Sequence, residues 1–85
     1  MLAGLDARFM SSDHMPPHFH AQRRGQWEIR VFFLRDESTM FELKWANRGR
    51  VPEARTLHDI AVLVATKRAE LLIEWNAKVM TGALK

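Results

Sequence analysis

The sequence contains no cysteine. That excludes disulfides, thiolate metal sites and a cysteine nucleophile, and it fits a reducing compartment. No apolar run approaches the roughly 20 residues that span a bilayer. The first residues, Met1-Leu2-Ala3-Gly4-Leu5-Asp6-Ala7-Arg8, carry charge where a signal peptide needs a continuous apolar stretch. The expectation is a soluble cytoplasmic protein. Internal repeats, low-complexity tracts and Gly/Ser-rich linkers are also missing. The 85 residues therefore read as a single domain, 1–85, with no room for a second core.

What is present is 47% hydrophobic, enough for a globular core and too much for a disordered tail. A domain this short buries only about 60% of its unfolded surface, so a metal or a partner subunit would add to a thin core. The formal net charge of +3 is unevenly placed. Residues 1–43 hold five basic and six acidic side chains, and residues 56–85 hold four and three. The connecting stretch 44–55 holds Lys44, Arg48, Arg50 and Arg55 against Glu53 alone. Such a patch suits phosphate or an acidic partner, and equally a solvated loop.

Period-2 alternation marks the strands. Trp27, Ile29, Val31 and Phe33 alternate with Glu28 and Arg30, and Phe41, Leu43 and Trp45 alternate with Glu42 and Lys44. The spacing predicts an antiparallel hairpin of strands 27–34 and 39–45 joined by the polar turn Arg35-Asp36-Glu37-Ser38. Shorter strands are expected at 7–11 and 18–22, the latter followed by a turn at Arg23-Arg24-Gly25-Gln26. Leu57, Ile60, Ala61, Val64, Leu71, Leu72, Trp75 and Val79 then recur at helical spacing, with Lys67, Glu70, Glu74 and Lys78 on the other side. One helix over 57–80 is predicted, with Thr56 and Asp59 resembling a capping box. The expected fold is α+β: a small antiparallel sheet of three to four strands packed on one long C-terminal helix. That helix would be about 35 Å long in a domain about 30 Å across. It must overhang, bend or pack on a second subunit, which makes a homodimer an expectation.

Three of the four histidines fall in Asp13-His14-Met15-Pro16-Pro17-His18-Phe19-His20. The two prolines enforce extended backbone, and His18 and His20, two apart on a strand, share a face. Three readings stand. His14, His18 and His20 with Asp13 are a candidate set for a divalent ion of zinc or nickel type. His18, His20 and His14 are alternatively the acid and base of an RNase-like enzyme, with Arg23, Arg24 or Arg48 on the phosphate. Or the imidazoles simply hydrogen-bond the turn and fill a half-buried face. No cofactor is required by the sequence. His58 reads as a surface residue and the three tryptophans as core.

The same motif, with the late Leu71-Leu72, Trp75 and Asn76, resembles the small bacterial family known as domain of unknown function 4160. The likeness covers residues 9–79. Members are often encoded beside another small domain and are suspected toxin–antitoxin-like modules. The resemblance thus implies an interaction module whose partner is a small protein encoded by a neighbouring gene. Arg23, Arg24, Lys44, Arg48, Arg50 and Arg55 would then meet that partner or RNA.

Overall fold

The computed structural model describes residues 5–9 and 16–77. Its elements are β1 (Asp6–Arg8), β2 (Phe19–Arg23), β3 (Trp27–Val31), a 3-10 turn (Glu37–Thr39), β4 (Phe41–Ala46) and α1 (Ala54–Trp75). The strands form one antiparallel meander in the order β1-β2-β3-β4, the α+β arrangement anticipated above.

Each strand puts alternate residues on one face. In β2 and β3 these are Phe19, Ala21, Trp27, Ile29 and Val31, all buried. They form the core with Phe33, Met40, and Ile60, Ala61, Val64 and Trp75 of α1. The β2–β3 turn closes through Gly25 at φ +74°, with the Gln26 N–H donating to the Arg23 carbonyl at 2.9 Å. Glycine adopts that backbone without the strain an L side chain incurs there.

Several boundaries differ from expectation. β1 spans Asp6–Arg8 instead of 7–11, and Met10 and Ser11 lie outside the described residues. β3 stops at Val31 because the chain turns there. The Phe32 N–H donates to the Met40 carbonyl at 2.7 Å, and the Arg35 N–H to the Phe32 carbonyl at 3.0 Å. In β4 the alternation is broken by a bulge: Ile29 pairs with Leu43 but Glu28 with Trp45, leaving Lys44 as the extra residue. Trp45 therefore shares the face of Glu28 and is 40% exposed, so it is not the core residue expected. Trp27 and Trp75 are core.

The helix begins three residues before Leu57. Its N-cap is Glu53, which makes no side-chain cap bond, so the Thr56–Asp59 capping box does not form. Leu72 is exposed instead of facing the core, and Val79 lies outside the described residues. The helix bends at Lys67, whose φ of −122° and ψ of 15° are non-helical. Next to the bend, Arg68 reaches back to the turn after β3. Its Nε donates to the Phe33 carbonyl at 2.8 Å and its Nη2 to the Arg35 carbonyl at 2.9 Å. Among the described residues, no helix is long and apolar enough to cross a membrane.

Candidate functional site

Two groups of polar residues stand out, and they occupy opposite ends of β2. The first is on the sheet face away from Ile60 and Val64. His18 and His20 are only 6% and 4% exposed, and their ring centroids lie 5.2 Å apart, edge to face. Phe32 and Trp75 flank His18 at 5.3 and 5.6 Å between centroids. The guanidinium of Arg35 covers the other part of the Phe32 ring at 4.2 Å. His18 is oriented by its own chain: Nδ1 lies 2.8 Å from the Pro16 carbonyl. A carbonyl only accepts, so Nδ1 donates this bond.

His20 is oriented across the sheet. Its Nδ1 lies 3.4 Å from Glu28 Oε2, and Lys44 Nζ lies 3.2 Å from the same oxygen. Glu28 is itself 6% exposed, against its expected place on a solvated strand face. A buried carboxylate is costly without partners, and here an imidazole and an ammonium supply them. The register makes this geometry available: with Glu42 opposite Arg30 and Leu43 opposite Ile29, Lys44 follows on the face of Glu28. Beyond it, Arg30 and Glu42, cross-strand partners, form an ion pair at the exposed margin. The arrangement is a line of four groups: His18, His20, Glu28 and Lys44.

Among the described residues no three metal-ligating side chains converge. Asp13 and His14, the remaining members of the anticipated site, lie outside the described residues. Carboxylate-backed and carbonyl-backed imidazoles are the usual support of histidines that ligate or transfer protons. The same contacts also occur around imidazoles that are simply buried.

The second group is a basic pole. Asn47 ties the loop after β4 to the β2–β3 turn: its N–H donates to the Gln26 carbonyl at 2.7 Å and its Nδ2 to the Gly25 carbonyl at 3.0 Å. The next residues, Arg48 and Gly49, both have positive φ (53° and 73°), and the Arg50 N–H donates to the Asn47 carbonyl at 3.0 Å. This is a type I′ turn, unusual in carrying arginine where Asn or Gly is preferred. The Asn47 bonds set this loop, which carries Arg48 and Arg50, against the turn that carries Arg24. Arg55 lies in the first turn of α1. Arg23, Val51, Glu53 and Thr56 line a shared cleft of about 280 Å³. Of the acidic side chains there, Asp6 holds Arg24 at 3.2 Å.

The loop of Arg48 and Arg50 thus lies against the turn of Arg24, and Arg23 shares a cleft with Glu53 and Thr56, which flank Arg55, whereas Lys44 is committed to Glu28. The two histidines sit at the far end of β2 from the arginines. His58 is exposed, with Nδ1 3.1 Å from Glu37 Oε2.

The family described as Domain of unknown function (DUF4160) matches residues 4–76. The chain belongs to that family. No curated protein and no solved structure matches it. Within this DUF4160 domain, Glu28 is the site residue that sequence reading passed over. Its signal was available: a three-residue turn at Arg24–Gln26 sets Gln22 opposite Glu28, which places His20 diagonal to it.

Proposed function

We propose that this domain is an interaction module whose arginine pole docks an acidic segment of a small partner protein encoded by a neighbouring gene, in a toxin–antitoxin-like pair. The Asn47 bonds that set the loop of Arg48 and Arg50 against the turn of Arg24, with the cleft that Arg23 lines beside the start of α1, carry this reading. Val51, in the same cleft, is more than half exposed and gives the surface an apolar centre. Charged groups arranged this way steer an oppositely charged partner and fix its register, while an apolar contact holds it. RNA meets the same cations through phosphate, and its binding is the competing outcome of the test.

Titration calorimetry of the full chain against the neighbouring gene's product tests the proposal. Micromolar or tighter binding is expected, weakened about tenfold or more in the double variant R48A/R50A. Absence of binding, or binding indifferent to those arginines, sinks the reading. Tight binding of single-stranded RNA instead replaces it.

A second reading is favoured by the Pro16 carbonyl on His18 and Glu28 behind His20. In it His14, His18 and His20, with Asp13, form a metal centre or the acid–base pair of an RNase-like enzyme. Elemental analysis of untagged protein tests the metal form, and loss of RNA cleavage in H18A and H20A tests the enzyme. Metal-free protein with unaltered stability in chelator, together with undiminished cleavage or none in wild type, removes it.

A further inference from the structure

We infer that two copies of this chain pair through their β1 edges, antiparallel about Ala7, to form one continuous eight-stranded sheet. This does not rest on the partner reading above; the two surfaces adjoin at the Asp6–Arg24 ion pair. Among the described residues β1 is one outer strand of the sheet, and its Asp6, Ala7 and Arg8 are all exposed. An outer strand presents unpaired backbone groups that a further strand can satisfy.

The occupant is chosen by the residues. Leu5-Asp6-Ala7-Arg8-Phe9 is complementary to itself when reversed. About a twofold axis at Ala7, Asp6 meets Arg8 of the second copy and Arg8 meets its Asp6. Leu5 meets Phe9, Phe9 meets Leu5, and Ala7 meets Ala7. The faces also agree. Ala7 pairs with the buried Ala21, so Leu5, Ala7 and Phe9 point to the helix side. Asp6 and Arg8 point to the other. Each face therefore acquires matched cross-strand pairs, apolar on one side and ionic on the other. Charges on a short outer strand usually repel further pairing, but here their order specifies one partner and one register.

The space beside β1 suits such a neighbour. On the helix side an open cleft of about 350 Å³ is lined by Ala7, Phe9, Phe19, Leu63 and Leu71, rimmed by Lys67 and Glu74. Its floor deepens into an apolar pit of about 30 Å³ between Phe19, Leu71 and Val64. A strand added to β1 directs its own Leu5 and Ala7 over this cleft. The opposite outer strand is a poor alternative, since the bulge at Lys44 interrupts β4 and Lys44 is held by Glu28. Pairing through β1 is isologous and closes at two copies, with only the bulged β4 strands left outermost.

A five-residue strand pair is a small interface, so the dimer forms at tens of micromolar. Sedimentation equilibrium of wild type at about 100 µM is expected to give a dimer. D6R and R8D should each weaken it about tenfold or more, because each puts like charges opposite one another twice. An equimolar mixture of the two variants should recover the dimer, since their reversed charges complement. R24A removes only the intrachain partner of Asp6 and should remain dimeric. Circular dichroism confirms that each variant is folded. A monomeric wild type, variants as dimeric as wild type, or a mixture that fails to recover would each overturn the inference.

Discussion

Glu28 shows how much one buried charge depends on its neighbours. Its Oε2 has His20 at 3.4 Å and Lys44 at 3.2 Å, and the side chain is almost wholly enclosed. Removing a partner from a buried charge costs more than removing the charge itself. Lys44→Ala is therefore expected to destabilise the domain by about 1–3 kcal/mol, and Glu28→Gln by about 1 kcal/mol. In the double variant most of the Lys44→Ala cost should vanish, because no carboxylate remains to be stranded. Urea denaturation of the four proteins measures this, and strictly additive costs would refute the coupling. Trp75 is the converse case. Its indole Nε1 is buried without a hydrogen-bond acceptor among the described residues, while its ring packs edge-on against Phe9 at 6.2 Å. An unmade buried hydrogen bond costs about 1–3 kcal/mol, so Trp75→Phe, which deletes the donor and keeps a ring, should alter stability by less than about 1 kcal/mol. Trp75→Ala should cost about 3–5 kcal/mol through the cavity it leaves. Equal losses in the two variants would show that the indole nitrogen is well accommodated.

At the level of elements, the loop after β4 holds arginine in a conformation that suits glycine. Arg48 sits at φ 53°, where a side chain costs about 1–2 kcal/mol, partly offset by the extra unfolded-state freedom of glycine. Arg48→Gly is expected to raise stability by about 0.5–1 kcal/mol while weakening partner binding, so the two properties move in opposite directions. Thermal denaturation beside calorimetry detects this, and a destabilised variant would contradict it. The bend at Lys67 is held by the Arg68 clasp on the turn after β3. Arg68→Met keeps the aliphatic stem and loses both bonds, at a cost of about 2 kcal/mol by urea denaturation. No measurable loss would mean that the bend is maintained by packing alone. These elements also show what sequence conveys. The 27–31 strand, the Gly25 turn and the core face from Ile60 to Trp75 were legible because each rests on local spacing. The bulge was not, since Phe41-Glu42-Leu43-Lys44-Trp45 alternates without a break. Only the pairing with Glu28 and Ile29 discloses the extra residue. The helix start was misplaced because the first apolar core residue, Leu57, follows the first helical residue by one turn.

Across the whole molecule, the shared face of His18 and His20 was readable from their spacing, but their enclosure was not. His20 meets Glu28, and Glu28 meets Lys44, from two other strands. Likewise the basic pole was half visible, as the charge of residues 44–55. Its other half, Arg23 and Arg24, joins only because Asn47 binds the β2–β3 turn. The pole and the β1 edge are built on different physics, and salt should separate them. Binding of an acidic partner to clustered, exposed arginines relies on long-range attraction, which is screened within about 10 Å at 0.1 M salt and about 3 Å at 1 M. Pairing at β1 relies chiefly on backbone hydrogen bonds and the apolar contact of Leu5 with Phe9, with two ionic pairs at short range. Between about 0.05 and 0.5 M sodium chloride, affinity for the acidic partner should fall about tenfold or more, mainly through slower association. The self-association constant should change less than about threefold over the same range, because short-range contacts are little screened. Calorimetry and sedimentation across that salt series measure both. A partner affinity insensitive to salt would exclude the arginine pole as the docking surface. A dimer that dissolves as steeply as the partner complex would place its origin in charge and not in the β1 strand.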